Sequence, residues 1–303
     1  MNIDSNPYKD FKSGFAVIAG APNAGKSTLL NAMIGQKISI TSEKPQTTRN
    51  RIAGIVHGQK SQIIFIDTPG IHDSKKVFNK RIVDVALSAI DDMDMVLVVA
   101  DAARPDPASE ELIIRKLRKR KRVSAILALN KIDLVPGPAI LTQIDQWARR
   151  MDFEEIVPVS AAKGTQVEEL VAEMARRLPE GPPYFPEDSI TDVPERFIAA
   201  EIIREKIFRL TGQEIPYSTA VTIEEFSTDP STGLVRILAV IHVERSSQKG
   251  IIIGKQGSLL KKIGTQARAE IKRMVGAKVF LELFVRVEKN WSKDTRALRR
   301  LGY

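Results

Sequence analysis

The sequence of 303 residues contains no cysteine, which excludes disulfide bonds and cysteine-based zinc sites. Its three histidines, His57, His72 and His242, lie far apart without ligand spacing, so we interpret them as surface or strand residues. No apolar run approaches the ~18 residues that a membrane-spanning helix needs. The first residues, MNIDSNPYKDFKSG, have neither the basic start nor the apolar stretch of a signal peptide. These absences favour a cytoplasmic protein.

The composition, 43% hydrophobic and 27% charged residues, is typical of a globular protein, and the length predicts about two domains. The charge is unevenly distributed. Residues 1–188 contain 26 Lys and Arg against 24 Asp and Glu, whereas residues 189–303 contain 20 against 13. A basic excess at one end is typical of a nucleic-acid surface. A membrane-facing patch would give the same distribution, so the charge leaves both partners open.

A phosphate-binding loop (P-loop) lies near the amino terminus, in a stretch that fits G-x-x-x-x-G-K-[ST]. The run Gly14–Ala19 before it predicts a buried strand, and Thr28–Ile34 after it predicts a helix, which is the context the motif requires. We expect loop N–H groups to face phosphates, Lys26 to reach the β- and γ-phosphates, and Ser27 to hold Mg²⁺. The predicted phosphate-binding residues are Gly20, Ala21, Pro22, Asn23, Ala24, Gly25, Lys26, Ser27 and Thr28.

Two strand-like runs, Ile52–His57 and Ser61–Ile66, predict an antiparallel hairpin at the edge of a parallel sheet. The second run ends in the nucleotide-binding candidates Asp67, Thr68, Pro69 and Gly70. A carboxylate at the end of a buried strand beside the P-loop is expected to hold the magnesium shell, and Gly70 can offer an N–H to a γ-phosphate.

The rest of this half alternates between strand-like and helix-like runs, which predicts a doubly wound α/β domain with its ligand at the carboxyl ends of the strands. The helical run ending in RKLRKRKR is interpreted as a solvated face rather than an RNA site. The predicted elements are helix Val77–Asp92, strand Met95–Ala100, helix Ser109–Arg122, strand Val123–Leu129, strand Ile156–Val159 and helix Val167–Leu178.

The sequence Asn130-Lys131-Ile132-Asp133 is an N-K-x-D motif at a strand end. An aspartate edge-on to a purine accepts two hydrogen bonds from guanine, whereas adenine would leave it unpaired. Sites built around such donors reject the wrong analogue by factors of order 10⁴–10⁵. We therefore predict guanine specificity from Asp133, with Lys131 over the ring and Asn130 bracing the loop.

The region from Gly14 to about Leu178 resembles the translation-factor-like GTPases. The resemblance rests on five motifs, in this order: GAPNAGKS, a TT-R loop, DTPG, NKID and SAAKG. The resemblance implies GTP hydrolysis to GDP with Mg²⁺, with switch loops at about 37–50 and 67–80. It implies that Thr48, or alternatively Thr47, joins the metal. Ser160, Ala161 and Lys163 match the loop behind guanine. The residues it assigns to catalysis are Asn23, Lys26, Thr48 and Gly70.

One position departs from the small signalling GTPases. Ile71 stands where they carry the glutamine that orients water, so slow intrinsic hydrolysis is expected. Asn23 matches a position that supports a potassium ion in several relatives. The alternative, that Asn23 only shapes the turn, remains open.

Leu178–Pro194 contains five prolines and predicts a semi-rigid connector. An amphipathic helix over Glu195–Thr211 follows, with Phe197, Ile198, Ile202, Ile203, Ile207 and Leu210 on its apolar side. Strands over Ala220–Phe226 and Leu234–Val243, a helix over Ser258–Val275 and a strand over Lys278–Val287 are predicted next.

The segment GIIIGKQG, residues 250–257, ends in a G-x-x-G turn just before the predicted helix. With this order of elements it resembles the prokaryotic, type II KH domain, whose turn clamps about four nucleotides of single-stranded nucleic acid. Ile252, Ile253, Leu259 and Leu260 would form an apolar groove for bases. The residues expected to contact RNA are Lys249, Ile252, Ile253, Gly254, Lys255, Gln256, Gly257, Leu260, Lys261, Lys262 and Arg268. Trp291 is expected to pack against this domain.

Across its whole length the chain resembles the Era family of bacterial GTPases. The fold implied is a P-loop GTPase domain at 1–180, a linker at 181–194 and a smaller α+β KH domain at 195–303. The resemblance implies a monomer that binds the 3′ end of 16S rRNA, assists assembly of the small (30S) ribosomal subunit and maturation of 16S rRNA, and associates peripherally with the inner membrane. The alternative is a regulatory G protein that places its basic carboxyl half on anionic lipid. A metabolic NTPase is disfavoured because no further catalytic constellation is present.

Overall fold

A computed structural model of the chain describes residues 8–41, 52–67, 93–120, 124–212, 215–291 and 294–301. The described residues form two compact units, and the boundary between them falls after Asp192. The predicted helix Val77–Asp92 lies outside the described residues.

The first unit is built on a sheet that has six strands in the described part of the chain, in the order β2-β3-β1-β4-β5-β6. Only the β2–β3 pair is antiparallel, as the edge-hairpin prediction required. The central strands are continuous apolar runs because helices and loops cover both faces of the sheet. The strands are β1 (Lys12–Gly20), β2 (Ile52–Gly58), β3 (Ser61–Asp67), β4 (Met95–Asp101), β5 (Ser124–Asn130) and β6 (Glu155–Pro158).

Helices follow the strands in this unit, which confirms the predicted mostly parallel, doubly wound α/β fold. Local sequence explains where they begin. The Asp106 side chain accepts a hydrogen bond from the Ser109 N–H at 3.1 Å, and Pro107 occupies the first helical position. The basic helix ends at Arg118, four residues earlier than predicted. The helices are α1 (Lys26–Ile34), α2 (Pro107–Arg118), α3 (Gly137–Arg150) and α4 (Val167–Arg176).

The proline-rich segment after α4 is bonded along β2 and β3. The buried side chain of Gln62 accepts hydrogen bonds from the backbone of Tyr184 and Phe185, at 2.7 and 3.0 Å. Thr191 Oγ1 donates to Ala53 O at 2.7 Å, and Asp192 Oδ1 accepts from Ala53 N at 3.1 Å. These bonds cover the edge strand, whose backbone groups would otherwise face solvent. Residues 181–192 therefore belong to the first unit, although proline content alone suggested a connector through 194.

The second unit contains a three-stranded sheet in the order β7-β8-β9. Strand β7 is antiparallel to β8, and β9 is parallel to β8. The element order is the predicted one. The elements are α5 (Glu195–Leu210), β7 (Thr219–Thr228), β8 (Val235–Val243), α6 (Ser246–Ile253), α7 (Ser258–Val275), β9 (Val279–Val287) and α8 (Thr295–Arg300). Trp291 is buried with Ala220, Ala297 and Leu301, as expected.

Helix α5 departs from the amphipathic expectation. Every residue from 198 to 208 is buried, so the helix has no solvated face along this length. Its charged residues are paired, because an unpaired buried charge is costly. Arg204 donates two hydrogen bonds to Glu201, at 2.7 and 2.6 Å, and Lys206 pairs with Glu205 at 3.0 Å and with Glu270 of α7.

Candidate functional site

The P-loop runs from the end of β1 to the start of α1, and two of its glycines are sterically required. A Cβ at Gly20 would lie 2.5 Å from Val99 O. Gly25 has φ +99°, and a Cβ there would lie 2.2 Å from Asn130 Nδ2. Helix α1 begins at Lys26, so its N-terminal N–H groups face the loop, as phosphate binding requires. Pro22, Asn23 and Thr28, also predicted to bind phosphate, lie in this loop and first turn.

The ammonium group of Lys26 is held against the loop. The side chain is buried, and its Nζ donates to Gly20 O at 3.1 Å and Ala21 O at 2.8 Å. Burial lowers the pKa of Lys26 to about 8, although the negative charge of Asp67 acts in the opposite direction. Neutral carbonyls compensate a buried ammonium poorly. Phosphate oxygens that replaced them would be much stronger partners.

The carboxylate of Asp67, at the end of β3, is fully buried beside α1. Its Oδ2 accepts hydrogen bonds from Ser27 Oγ at 2.8 Å and from Ser39 Oγ at 2.9 Å. Ser39 is fixed in turn by Asn31, whose Oδ1 accepts from the N–H groups of Ile38 and Ser39, both at 3.0 Å. The structure thus brings together Ser27 and Asp67, two of the three predicted magnesium ligands. Ser39 was missed because no motif marks it.

The donor set fits Mg²⁺ rather than a transition metal. A serine hydroxyl and a carboxylate are hard oxygen ligands, and magnesium takes its remaining ligands from phosphates and water. Within the described residues, no group of three or more His, Cys, Asp or Glu side chains could hold a metal alone. Ser27 and Asp67 therefore suit a metal that arrives with a nucleotide.

The predicted guanine-binding residues meet at the ends of β5 and β6. Asn130 is buried, its Nδ2 donates to Ala24 O of the P-loop at 2.9 Å, and its Oδ1 accepts from Ala161 N at 3.0 Å. Asp133 Oδ1 accepts from Ser160 Oγ at 2.7 Å. These bonds join three motifs that are far apart in sequence into one pocket wall.

Lys131 completes this wall from a left-handed backbone conformation, with φ +65°. Its Nζ donates to Asn23 O at 2.7 Å and to Asp101 Oδ2 at 2.5 Å. Asp101 was missed by the sequence analysis, although a carboxylate at the end of a buried strand is the same signal that identified Asp67. Lys163 lies in the turn after Ser160, to which its N–H is bonded at 3.2 Å.

Ser39 and Asp67 fall within the predicted switch ranges. The other switch-loop candidates lie outside the described part of the chain: Thr47, Thr48, Thr68, Pro69, Gly70 and Ile71.

The second predicted site is the turn Gly254–Gly257, between α6 and α7. Gly254, Gln256 and Gly257 all have positive φ, at +72°, +51° and +77°. A Cβ at Gly254 would lie 2.8 Å from Leu259 Cβ, whereas nothing lies within 4 Å of a Cβ at Gly257. The turn is therefore tight on one side and open on the other. The exposed polar and basic side chains in this turn and the first turn of α7 are Lys255, Gln256, Lys261 and Lys262, and Lys249 of α6 is half-buried. Arg268, also predicted to contact RNA, is exposed further along α7.

The apolar part of this predicted groove requires a correction. Ile252 is fully buried in the core of the second unit, so its side chain is not available to a base. Ile253, Leu259 and Leu260 are half-buried. Ile251, which the sequence analysis did not select, is 50% exposed. An apolar run of three isoleucines does not reveal which one faces the core.

None of the helices in the described part of the chain is both long and apolar enough to cross a bilayer.

Two family models match the chain. One, described as 50S ribosome-binding GTPase, matches residues 15–131, and the other, described as KH domain, matches residues 214–292. The chain is 55% identical to the GTPase Era of Geotalea uraniireducens, over 97% of this chain and 99% of that protein. It is also 55% identical to the GTPase Era of Geobacter metallireducens, over 99% of this chain and 100% of that protein.

Two solved structures are similar over nearly the full length. One is a variant of Aquifex aeolicus Era bound to GDP and AlF4⁻, with a TM-score of 0.90, 41% identity and coverage of 97% of this chain and 99% of that chain. The other is Era in complex with MgGDPNP and nucleotides 1506–1542 of 16S ribosomal RNA, with the same TM-score, identity and coverage.

Proposed function

Because this chain belongs to the Era family and is therefore a GTPase, we propose that it is a guanine-nucleotide switch acting in assembly of the small (30S) ribosomal subunit. Its KH domain binds the single-stranded 3′ end of 16S rRNA and assists maturation of that rRNA. The protein acts as a monomer in the cytoplasm. The observation that supports the proposal is the open glycine turn at the start of α7, which carries exposed basic side chains, on a chain whose P-loop, N-K-x-D and S-A-x-K residues are joined by hydrogen bonds.

In the nucleotide site, Lys26 moves its hydrogen bonds from loop carbonyls to the β- and γ-phosphates. Ser27 and Asp67 hold Mg²⁺, which when bound neutralises charge on the phosphates. Asp133 accepts the guanine N1–H and 2-amino hydrogens. Thr48, or alternatively Thr47, and the N–H of Gly70 respond to the γ-phosphate.

Hydrolysis is slow without further help, because Ile71 has no polar atom with which to orient water. We place a potassium ion beside Asn23, whose exposed side chain lies in the P-loop with its backbone held by Lys131. Replacing NaCl with KCl should raise kcat, and Asn23→Ala should remove the difference. Equal rates of the unaltered protein in both salts would discard the potassium ion.

In the RNA site, the glycine turn lets the sugar–phosphate backbone approach the N-terminus of α7. Lys255, Lys261 and Lys262 place positive charge at the turn, and Arg268 extends it along α7. Bases lie against Ile253, Leu259 and Leu260. If GTP favours the RNA-competent state, then RNA must favour GTP over GDP by the same factor.

The decisive test places a negative charge on the turn and compares it with a neutral variant that carries the same backbone strain. Gly257 is suited to this because its added side chain meets open space, whereas a substitution at Gly254 would strike Leu259. Asparagine tolerates the left-handed conformation and is nearly isosteric with aspartate, so Gly257→Asn is the matched control. The probe is a synthetic RNA of nucleotides 1506–1542 of 16S rRNA, the segment in the related complex.

We expect Gly257→Asp to weaken RNA binding by roughly tenfold or more, and Gly257→Asn by no more than roughly threefold, from the charge on one clamped phosphate. Both variants should retain the GTPase rate. Unchanged RNA affinity in Gly257→Asp would overturn the assignment of this turn. Crosslinking to total cellular RNA, with GDP or a non-hydrolysable GTP analogue, would then identify the RNA and its preferred nucleotide state.

The same variants distinguish RNA binding from lipid binding, whether by a membrane-docked G protein or by peripheral contact with the inner membrane. Flotation with anionic vesicles should show at most weak association that Gly257→Asp and Gly257→Asn reduce equally. Strong flotation together with weak RNA binding would favour the regulatory membrane-docked G protein instead.

A further inference from the structure

We propose that Asp101 is a positioning residue for guanine-nucleotide binding, which sets the Lys131 side chain across the base end of the pocket. The inference deepens the proposed function and rests on it, because it requires guanine to lie beside Lys131. Asp101 belongs to none of the five nucleotide motifs, and lies at the end of β4 beside Asn130 in the parallel register.

Backbone hydrogen bonds hold the Asp101 carboxylate in place independently of Lys131. Its Oδ1 accepts hydrogen bonds from the N–H groups of Ala103 at 2.9 Å and Arg104 at 3.0 Å. The residue is 8% exposed, so these bonds are shielded from water. Two backbone donors on one oxygen leave the other, Oδ2, aimed in one direction. A charge held this way is pre-organised and needs little further ordering.

That second oxygen meets the ammonium of Lys131 at 2.5 Å, and the same ammonium donates to Asn23 O at 2.7 Å. The Lys131 stem therefore spans between the end of β4 and the P-loop, and its Cε lies 3.9 Å from the Cβ position of Gly25. A lysine stem pinned at its tip presents a flat run of methylene groups. Such a surface suits one face of a purine ring.

The loop that carries Asp101 is also bonded to the base-binding loop. Ala102 N donates to Asn130 O at 2.9 Å, and Gln143 Nε2 of α3 donates to Ala102 O at 3.0 Å. Asp101 thus links three strand ends, those of β1, β4 and β5. Its removal would leave the Lys131 ammonium with only the neutral carbonyl of Asn23, while these backbone bonds keep the loop in place.

The test is Asp101→Asn, measured as the release rate of a fluorescent GDP from the full chain. Asparagine keeps an acceptor for Ala103 and Arg104 but loses the charge toward Lys131. We expect release to accelerate by about tenfold, the usual scale for a lost charged hydrogen bond that is shielded from water. Asp106→Asn is the matched control, because Asp106 caps α2 through Ser109 and is expected to leave release unchanged.

A double-mutant cycle with Lys131→Met distinguishes positioning from general support of the fold. If Asp101 acts through the Lys131 ammonium, adding Asp101→Asn to Lys131→Met should change release by less than about twofold. Additive effects, or unchanged release in Asp101→Asn alone, would overturn the inference. If Lys131→Met itself left release unchanged, the guanine assignment at this wall would fail instead, which separates the two failures.

Discussion

The two predicted binding regions differ in how far their charged and polar side chains are buried. In the first unit, four groups of the predicted nucleotide site are withdrawn from solvent: Lys26, Asp67, Asn130 and Ser160 are between 0% and 6% exposed, and each has hydrogen-bond partners. Asn23, Asp133 and Lys163, at the rim of the same predicted site, are exposed. In the second unit, the basic groups around the glycine turn are exposed. The first region therefore depends on a few fixed contacts, and the second on summed charge around an open turn.

This difference determines how each region should respond to change. Buried, interlocked polar groups lose function when one atom is displaced, because neighbouring bonds cannot adapt. Exposed cations act largely additively and are screened by salt.

The largest difference in nucleotide affinity is expected between variants of Gly25 and Gly35, the two glycines that flank α1. Gly25→Ala would force a methyl group against Asn130 in a strained backbone, so nucleotide affinity should fall by roughly 100-fold. Gly35→Ala at the other end of the helix has a similar positive φ but open space, and is the control for strain alone. Titration of labelled GDP measures both. Equal losses in the two variants would show that contact with Asn130 is not the cause.

The next largest difference is expected in how strongly salt weakens ligand binding at the two regions. For RNA held by four cations, Lys255, Lys261, Lys262 and Arg268, the ~0.7 slope per phosphate predicts a roughly 50-fold loss of affinity between about 50 and 200 mM salt. GDP affinity should change by less than about threefold, since Lys26, the predicted cationic partner of its phosphates, is buried. The double change Lys261→Gln with Lys262→Gln should lower the RNA slope by about 1.4. An unaltered slope would remove these two lysines from the RNA surface.

The buried lysine gives the nucleotide region a pH dependence. Phosphates favour protonated Lys26, whose pKa of about 8 in the nucleotide-free protein means that binding above this pH takes up a proton. GDP affinity should fall by about threefold between about pH 7.5 and 8.5. Calorimetry in buffers with different ionisation heats measures the uptake directly. Its absence at about pH 8.5 would contradict a buried, partly neutral lysine.

The lowered pKa of Lys26 also affects the stability of the nucleotide-free protein. The folded state binds fewer protons than the unfolded state between about pH 8 and 10.5, so this lysine makes the free energy of unfolding rise with pH across that window.

The smallest effect is expected in the second unit. Burial lowers the pKa of His242, although its neighbour Glu288, 3.1 Å away, acts in the opposite direction. Arg286 and Arg300 also lower it, and Thr222 is hydrogen-bonded to the other ring nitrogen at 2.9 Å. Below pH 6.5 the unfolded state gains the proton first, so stability should decline modestly with acid. Thermal unfolding of His242→Gln, expected to show a weaker decline, provides the comparison.

The two units also differ in how much of each binding region could be predicted from the sequence. The P-loop, Asp67 and the N-K-x-D motif were identifiable because each requires a fixed residue type at a strand end. Ser39, Asp101 and the bonding of residues 181–192 to β2 were not identified, since each depends on contacts between distant segments. In the second unit the glycine turn was visible, whereas the exposure of Ile251 and burial of Ile252 depend on the rotation of a short helix.

The bonding of the proline-rich segment to β2 has a mechanical consequence. The chain passes from Asp192, bonded to β2, to Glu195, the first residue of α5, through only Val193 and Pro194. A linker of two residues keeps the effective concentration of one unit near the other high. If the proposed coupling between nucleotide and RNA exists, lengthening this linker with glycine and serine should weaken it while leaving the affinity for each ligand alone intact.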